Sequence, residues 1–132
     1  KKEEAVELIE KNRQKFAADN LQVVRGLAPE ALEELPAPTH AFIGGSGGRL
    51  MDILQVLYRK NPHMRIVINA ISMETIAELK EVLDTFPVEE EEILQMQVSR
   101  VKKLLSYHLP QAENPVWICS FRFWKEGEVY EA

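Results

Sequence analysis

Five consecutive residues carry the clearest chemical signal: Gly44-Gly45-Ser46-Gly47-Gly48, four glycines around one serine, directly after the apolar run His40-Ala41-Phe42-Ile43. Glycine accepts positive φ and presents no Cβ, so the backbone of such a turn can approach a ligand closely. A helix opening after the turn would point the amides of residues 46–49 outward and favour an anionic group. The turn is not a P-loop, because no Lys-Ser/Thr pair follows. It is not the dinucleotide fingerprint either: Leu50 stands where the last glycine belongs, and no acidic residue at a following strand end completes the motif. A tight packing corner is the competing reading, although one or two glycines suffice for that.

Other residues are weaker candidates. Asn69 ends an apolar run and either meets a ligand or caps the next turn. Arg100 has the planar donor fork that grips a carboxylate bidentately, or it is a plain surface cation. His108 has no visible partner and reads as an ordinary satisfied histidine. Cys119, in the apolar run Val116-Trp117-Ile118-Cys119, reads as a buried inert thiol. Glu74 and Asp84 read as solvated helix charges. No Cys/His spacing suits zinc, so no metal site is expected.

The elements that must position these residues follow from periodicity. Ala5, Val6, Ile9, Phe16 and Ala17 recur at helical spacing, which predicts a helix over 3–18. Residues 21–24 read as a short strand, broken by Gly26, and Pro29 suits the first turn of a short helix over 30–35. Residues 40–43 form a second strand ending in the glycine turn. A helix over 49–59 follows, with Leu50, Ile53, Leu54 and Leu57 on one face. Residues 65–70 are nearly continuous in apolar side chains, as a buried parallel strand should be. Ser72 suits the N-cap of a helix over 73–85, without a capping box because Thr75 stands three residues on. Ile76, Leu79, the Lys80 stem, Val82 and Leu83 form its buried side. Residues 93–98 and 116–123 read as strands, separated by a polar, mobile connection over 99–114. The acidic run 89–92 reads as a solvated loop or strand entry.

Alternating helices and strands imply a parallel sheet with right-handed crossovers, and the last two strands imply an antiparallel finish. Ligands then meet the loops at the strands' C-terminal ends: residues 26–29, the glycine turn, Asn69-Ala70 and Ser99-Arg100.

Composition narrows the partners. A chain of 132 residues makes one domain the default. The net charge of -5 argues against a nucleic-acid backbone as partner, which needs clustered cations. One cysteine precludes an internal disulfide and suits a reducing cytoplasm. The charged start and the lack of a long apolar stretch imply neither a signal peptide nor a membrane span.

At this point a resemblance enters. Phe42-Ile43-Gly44-Gly45-Ser46-Gly47-Gly48, Val67-Ile68-Asn69-Ala70, Gln97-Val98-Ser99-Arg100 and Asn114-Pro115-Val116-Trp117-Ile118 resemble segments of the decarboxylating precorrin methyltransferases. Gly26-Leu27-Ala28-Pro29-Glu30-Ala31-Leu32 resembles that family's Gly-Asp-Ala-Pro-Glu-Ala-Leu stretch, with Leu27 in place of aspartate. The resemblance covers residues 3–120. It implies an α/β, Rossmann-like class I methyltransferase fold, a three-layer sandwich with an antiparallel C-terminal strand. It further implies S-adenosyl-L-methionine as methyl donor and a polycarboxylated tetrapyrrole as substrate, methylated at C15 with loss of the C12 acetate carboxylate in cobalamin biosynthesis. By motif, Gly26 and Ala28 lie toward the cofactor, while Gly44, Gly45, Ser46, Gly47, Gly48, Asn69 and Arg100 line the substrate side. No catalytic residue is assigned, and a homo-oligomer, specifically a tetramer, is implied.

The family's first two strands, its Gly-x-Gly-x-Gly cofactor loop and its ribose-gripping acid are not in this sequence and are expected just before Lys1. Residues 1–132 thus read as a partial methyltransferase domain. Without the two strands, the 40–43 strand would expose an edge. Pairing with residues 21–24, or with another chain, is expected to cover it. Two alternatives stay open: a non-catalytic Rossmann-like interaction module, and a Rossmann-like enzyme that binds phosphate at the glycine turn.

Overall fold

The first apolar run after the proline-rich connector becomes strand β1 (His40–Ile43), and the next becomes β2 (Arg65–Ala70). Later strands are β3 (Val88–Met96), β4 (Ser99–Leu104), β5 (Tyr107–Ala112) and β6 (Val116–Phe123). These come from a computed structural model that describes residues 3–125. Four strands form one sheet of order β1-β2-β6-β3. β1 and β2 are parallel, and β6 runs antiparallel to both β2 and β3. The antiparallel finish is therefore present. β1, β2 and β3 all point the same way, so their C-terminal ends share one rim.

The side chains explain the layering. Along β2, Ile66, Ile68 and Ala70 are buried, whereas Arg65, Val67 and Asn69 are only partly covered. β6 continues the buried face with Cys119, Phe121 and Phe123. Two helices cover that face. The helix after the glycine turn is Leu50–Lys60, and the helix after β2 is Met73–Thr85. The first buries Leu50, Ile53, Leu54, Val56 and Leu57, and the second buries Leu79 and Val82. Their far ends meet on aromatic rings: Tyr58 and Phe86 lie 5.1 Å and 5.4 Å from the Phe123 ring. Ser72 caps the second helix as expected, its hydroxyl accepting from the Thr75 amide at 3.2 Å. Asp84 is held by Lys80 at 2.6 Å, a solvent-exposed pair, and Glu74 is exposed.

The chain divides into two compact units, residues 1–35 and 36–132. The sheet and its two helices belong to the second. The first holds helix α1 (Glu3–Lys15) and a one-turn 3-10 helix (Glu30–Leu32); the helices Leu50–Lys60 and Met73–Thr85 are accordingly α2 and α3. Acidic Glu3 and Glu4 open α1, and basic Arg13 and Lys15 close it, matching the helix dipole. It stops short of residue 18 because Ala17 turns to φ 49.

Three expectations need correction. Residues 21–24 form no strand: Leu21 and Val24 are exposed and the segment makes no ladder bonds. The expected pairing with β1 therefore fails, and the only ladder neighbour of β1 among the described residues is β2. Residues 99–114 are not a loose connection but the β4–β5 hairpin, with Leu104 opposite Tyr107 and Leu105 at φ 55 in the turn. Its polar composition hid the strands, because every residue of the hairpin is exposed and none is selected for burial. Finally, β3 begins at Val88, not at residue 93, and takes in the acidic run. A bulge between Glu89 and Glu92, with Glu90 at φ 53, lets that run join the ladder.

Candidate functional site

The glycine turn sits where β1 delivers it, at the C-terminal rim of the sheet. Gly47 and Gly48 adopt φ 59 and φ 81, conformations in which a Cβ is strained. A Cβ added to Gly45 or Gly48 would meet no atom within 4 Å, so both face open space. Gly44 is tighter, with the Phe42 ring 3.3 Å from where its Cβ would stand. The turn is thus open on the side where a ligand would lie, which a mere packing corner does not require. Ser46 is half-buried, and its Oγ is wholly shielded with no hydrogen-bond partner. A shielded, unsatisfied hydroxyl costs free energy unless something completes it.

The amides are divided. The Arg49 N–H donates to Ser46 O at 3.1 Å, inside the turn. The Leu50 N–H, the first of α2, donates to the Glu78 carboxylate of α3 at 3.2 Å. The Ser46, Gly47 and Gly48 amides have no acceptor among the described residues. Glu78 was invisible to periodicity, which marks only the apolar stripe beside it. Its sole sequence signal is an acidic residue adjacent to Leu79 on the buried side of α3.

Asn69 lies on the neighbouring strand at the same rim, half-buried, and its side chain makes no hydrogen bond among the described residues. Arg100 begins the hairpin beyond β3, at the far side of the sheet. Its Nε donates to Glu113 Oε1 at 2.7 Å and its side chain is 76% exposed. Two strands separate β1 from β3, so the rim between turn and hairpin root spans roughly 14 Å at the usual inter-strand spacing. The turn and Asn69 are brought together. Arg100 is not beside them, and only an extended ligand can reach all three.

Gly26 and Ala28 lie in the 1–35 unit. Gly26 has φ 147, and a Cβ there would stand 2.8 Å from the Ala31 Cβ. Its glycine is explained by its own chain. His108 is exposed opposite Lys103. Cys119 is fully buried, and burial, assisted by the charge of Glu91, pushes its thiol up to about 11. Its burial matches the expectation of a buried thiol. No cluster of metal-ligating residues occurs among the described residues, and none of their helices is long and apolar enough to cross a membrane.

A sheet whose parallel strands are joined through helices, finished by an antiparallel strand and bearing a glycine turn at its C-terminal rim, has the Rossmann-like form of class I methyltransferases. An S-adenosylmethionine-dependent O-methyltransferase of Thermotoga maritima, 13% identical, shares that fold at TM-score 0.68. More narrowly, the chain belongs to the precorrin methyltransferase domain family, whose profile matches residues 1–122. It is 34% identical over 117 residues to a Pyrobaculum calidifontis protein named probable cobalt-precorrin-6B C(15)-methyltransferase (decarboxylating), covering 88% of this chain and 60% of that one. A Methanothermobacter thermautotrophicus protein of the same name is 35% identical, with 86% and 59% covered. Among solved structures, precorrin-6y C5,15-methyltransferase of Geobacter metallireducens matches at TM-score 0.75 and 35% identity, covering 86% of this chain and 60% of that one. Precorrin 8W decarboxylase of Methanobacterium thermoautotrophicum matches at TM-score 0.77 and 33% identity, covering 90% and 64%. The chain thus spans about 60% of the length of the curated relatives it matches.

Proposed function

We propose that this chain forms the substrate-side wall of a cytoplasmic, S-adenosylmethionine-dependent methyltransferase. That enzyme methylates precorrin-6B or its cobalt form at C15 and removes the C12 acetate carboxylate in cobalamin biosynthesis. The observation that carries the reading is the open glycine turn with Asn69 beside it at one rim of the sheet, in a chain of the precorrin methyltransferase family. A rim of roughly 14 Å suits a broad polycarboxylated macrocycle better than a small anion.

The open space at Gly45 and Gly48 fits a ligand pressed against the turn. Gly26 adds nothing to that fit, since Ala31 fills its space. Bound S-adenosylmethionine supplies an already activated methyl group, so no covalent nucleophile is needed. What remains for these residues is placement. The free amides of residues 46–48 orient a substrate oxygen, Asn69 fixes the ring edge beside them, and Arg100 holds a peripheral carboxylate.

We also propose self-association, through the exposed β4–β5 hairpin. The functional test is methyl transfer from labelled S-adenosylmethionine to precorrin-6B by the protein that contains this domain, with carbon dioxide release measured alongside. Methylation without decarboxylation, or of another acceptor only, overturns the assignment. Calorimetry of residues 1–132 alone is expected to show weak donor binding, because this sequence has no second glycine loop; tight binding refutes that part.

A further inference from the structure

The glycine turn is built from residues that cannot hold it. Four of its five residues have no side chain, and two adopt left-handed φ. The N-cap of α2 is Arg49, whose side chain makes no capping hydrogen bond. Ser46, the one residue in the turn able to cap, leaves its Oγ unpartnered. The exit of the turn is instead fixed from a different element: Glu78 Oε2, in the second turn of α3, accepts from the Leu50 N–H at 3.2 Å. Glu78 is half-buried and stands next to Leu79, one of the residues that seat α3 in the core. A carboxylate at this position satisfies one of the orphan amides of α2 and complements its dipole.

We propose that Glu78 is the positioning residue of the glycine turn, clamping its α2 end and keeping free anions off the first amide of that helix. The proposal rests on the methyltransferase reading only in taking the turn as the ligand wall. It makes the wall selective by charge. A simple phosphate finds the helix start already neutralised, whereas the open, uncapped amides of residues 46–48 remain for a ligand that arrives on the Gly45 and Gly48 side.

The experiment needs no turnover and no donor, so its failure is distinct from failure of the methyltransferase assignment. Amide exchange and inorganic phosphate titration are followed by NMR in the 132-residue chain, for wild type, Glu78→Ala and Glu78→Gln. In Glu78→Ala, protection of the Leu50 amide is expected to fall roughly ten- to a hundredfold, the size of a lost charge-assisted hydrogen bond. Glu78→Gln keeps an acceptor and is expected to rescue most of that protection. Phosphate is expected to shift the Arg49 and Leu50 amides in both variants and not in wild type. A purely structural contact would change protection without opening an anion site. Wild-type shifts with phosphate, or equal responses in wild type and Glu78→Gln, overturn the proposal. If Glu78→Ala does not fold, the Glu78→Gln comparison decides.

Discussion

Arg100 and Glu113 face each other across the root of the hairpin, Nε to Oε1 at 2.7 Å, while the Glu113 amide donates to Val98 O at 2.8 Å. The cation proposed for a substrate carboxylate is therefore already paired with a carboxylate of its own chain, on a residue whose backbone is anchored to Val98. Both side chains are largely exposed, so the pair contributes less than about 1 kcal/mol to stability. Arg100→Ala is expected to leave the thermal midpoint within a few degrees and to weaken a polycarboxylated tetrapyrrole about tenfold. Glu113→Ala is expected to strengthen it, because the substrate no longer competes for the guanidinium. Calorimetry with the tetrapyrrole checks both. Tighter binding by Arg100→Ala would remove Arg100 from the site.

The glycines of the turn separate conformation from access. Gly48→Ala places a Cβ at φ 81, where no atom obstructs it but the backbone does, and is expected to cost about 1 to 2 kcal/mol. Gly45→Ala meets neither obstacle and is expected to be neutral in a denaturant melt. The same Cβ intrudes on the space assigned to ligand, so Gly45→Ala is expected to weaken substrate while stability holds. Unchanged binding in Gly45→Ala would show that the open side of the turn is not used.

What the sequence revealed and what it hid divide along burial. Ile66, Ile68 and Leu54 are selected for a dry interior, and the strands and helices that hold them were legible. Ser72 was legible as a cap because its geometry is local. The hairpin was not, since its strands have no buried face. Residues 21–24 misled in the opposite sense: Leu21 and Val24 have strand propensity, but no neighbouring strand pairs with them in the described residues. The turn stood out through its glycines, yet the Glu78–Leu50 bond spans 28 positions in sequence and nothing local announces it.

The acidic run acquires a role through its bulge. Glu90 Oε2 lies 2.6 Å from Arg65 Nη1 and 3.9 Å from Arg122 Nε, and Arg65 and Arg122 are direct cross-strand partners. Glu90 thus lies near both cations, and Glu89 stands opposite Arg122 on β3. Glu90→Ala is expected to destabilise by about 1 to 2 kcal/mol, more than an ordinary surface pair, because like charges opposite one another oppose pairing. Added salt should narrow the gap between variant and wild type, since it screens the arginine repulsion. A melt series at rising ionic strength that leaves the gap unchanged would assign the cost to the bulge and not to charge.

Cys119 gives a pH prediction with a defined sign. Burial raises the thiol from 9.0 to about 11 in the folded chain, so between those values the unfolded state has already released a proton that the folded state retains. The unfolded state then binds fewer protons, and stability falls as pH rises through that window, by up to about 3 kcal/mol from this group. Below pH 9 the group has no effect. Cys119→Ala is expected to flatten the decline while lowering stability at neutral pH, because a small cavity replaces the sulfur. Thiol reagents at neutral pH should leave the native wild type unmodified.

The hairpin itself is the last feature to test. Two strands are marginal by themselves in water. Yet Leu104, Tyr107 and Leu109 lie together on one face of β4–β5, and Leu105 at its tip is 86% exposed. Such a face gains by burial at about 25 cal/mol per Å² of apolar surface. A second copy of the chain is the proposed cover. Light scattering is expected to give a mass above that of one chain. The double substitution Leu105→Ser, Tyr107→Ser is expected to lower that mass while helix content by circular dichroism stays constant, because neither residue belongs to the buried core of the four-stranded sheet. A wild type that scatters as a single chain would leave the hairpin without this partner.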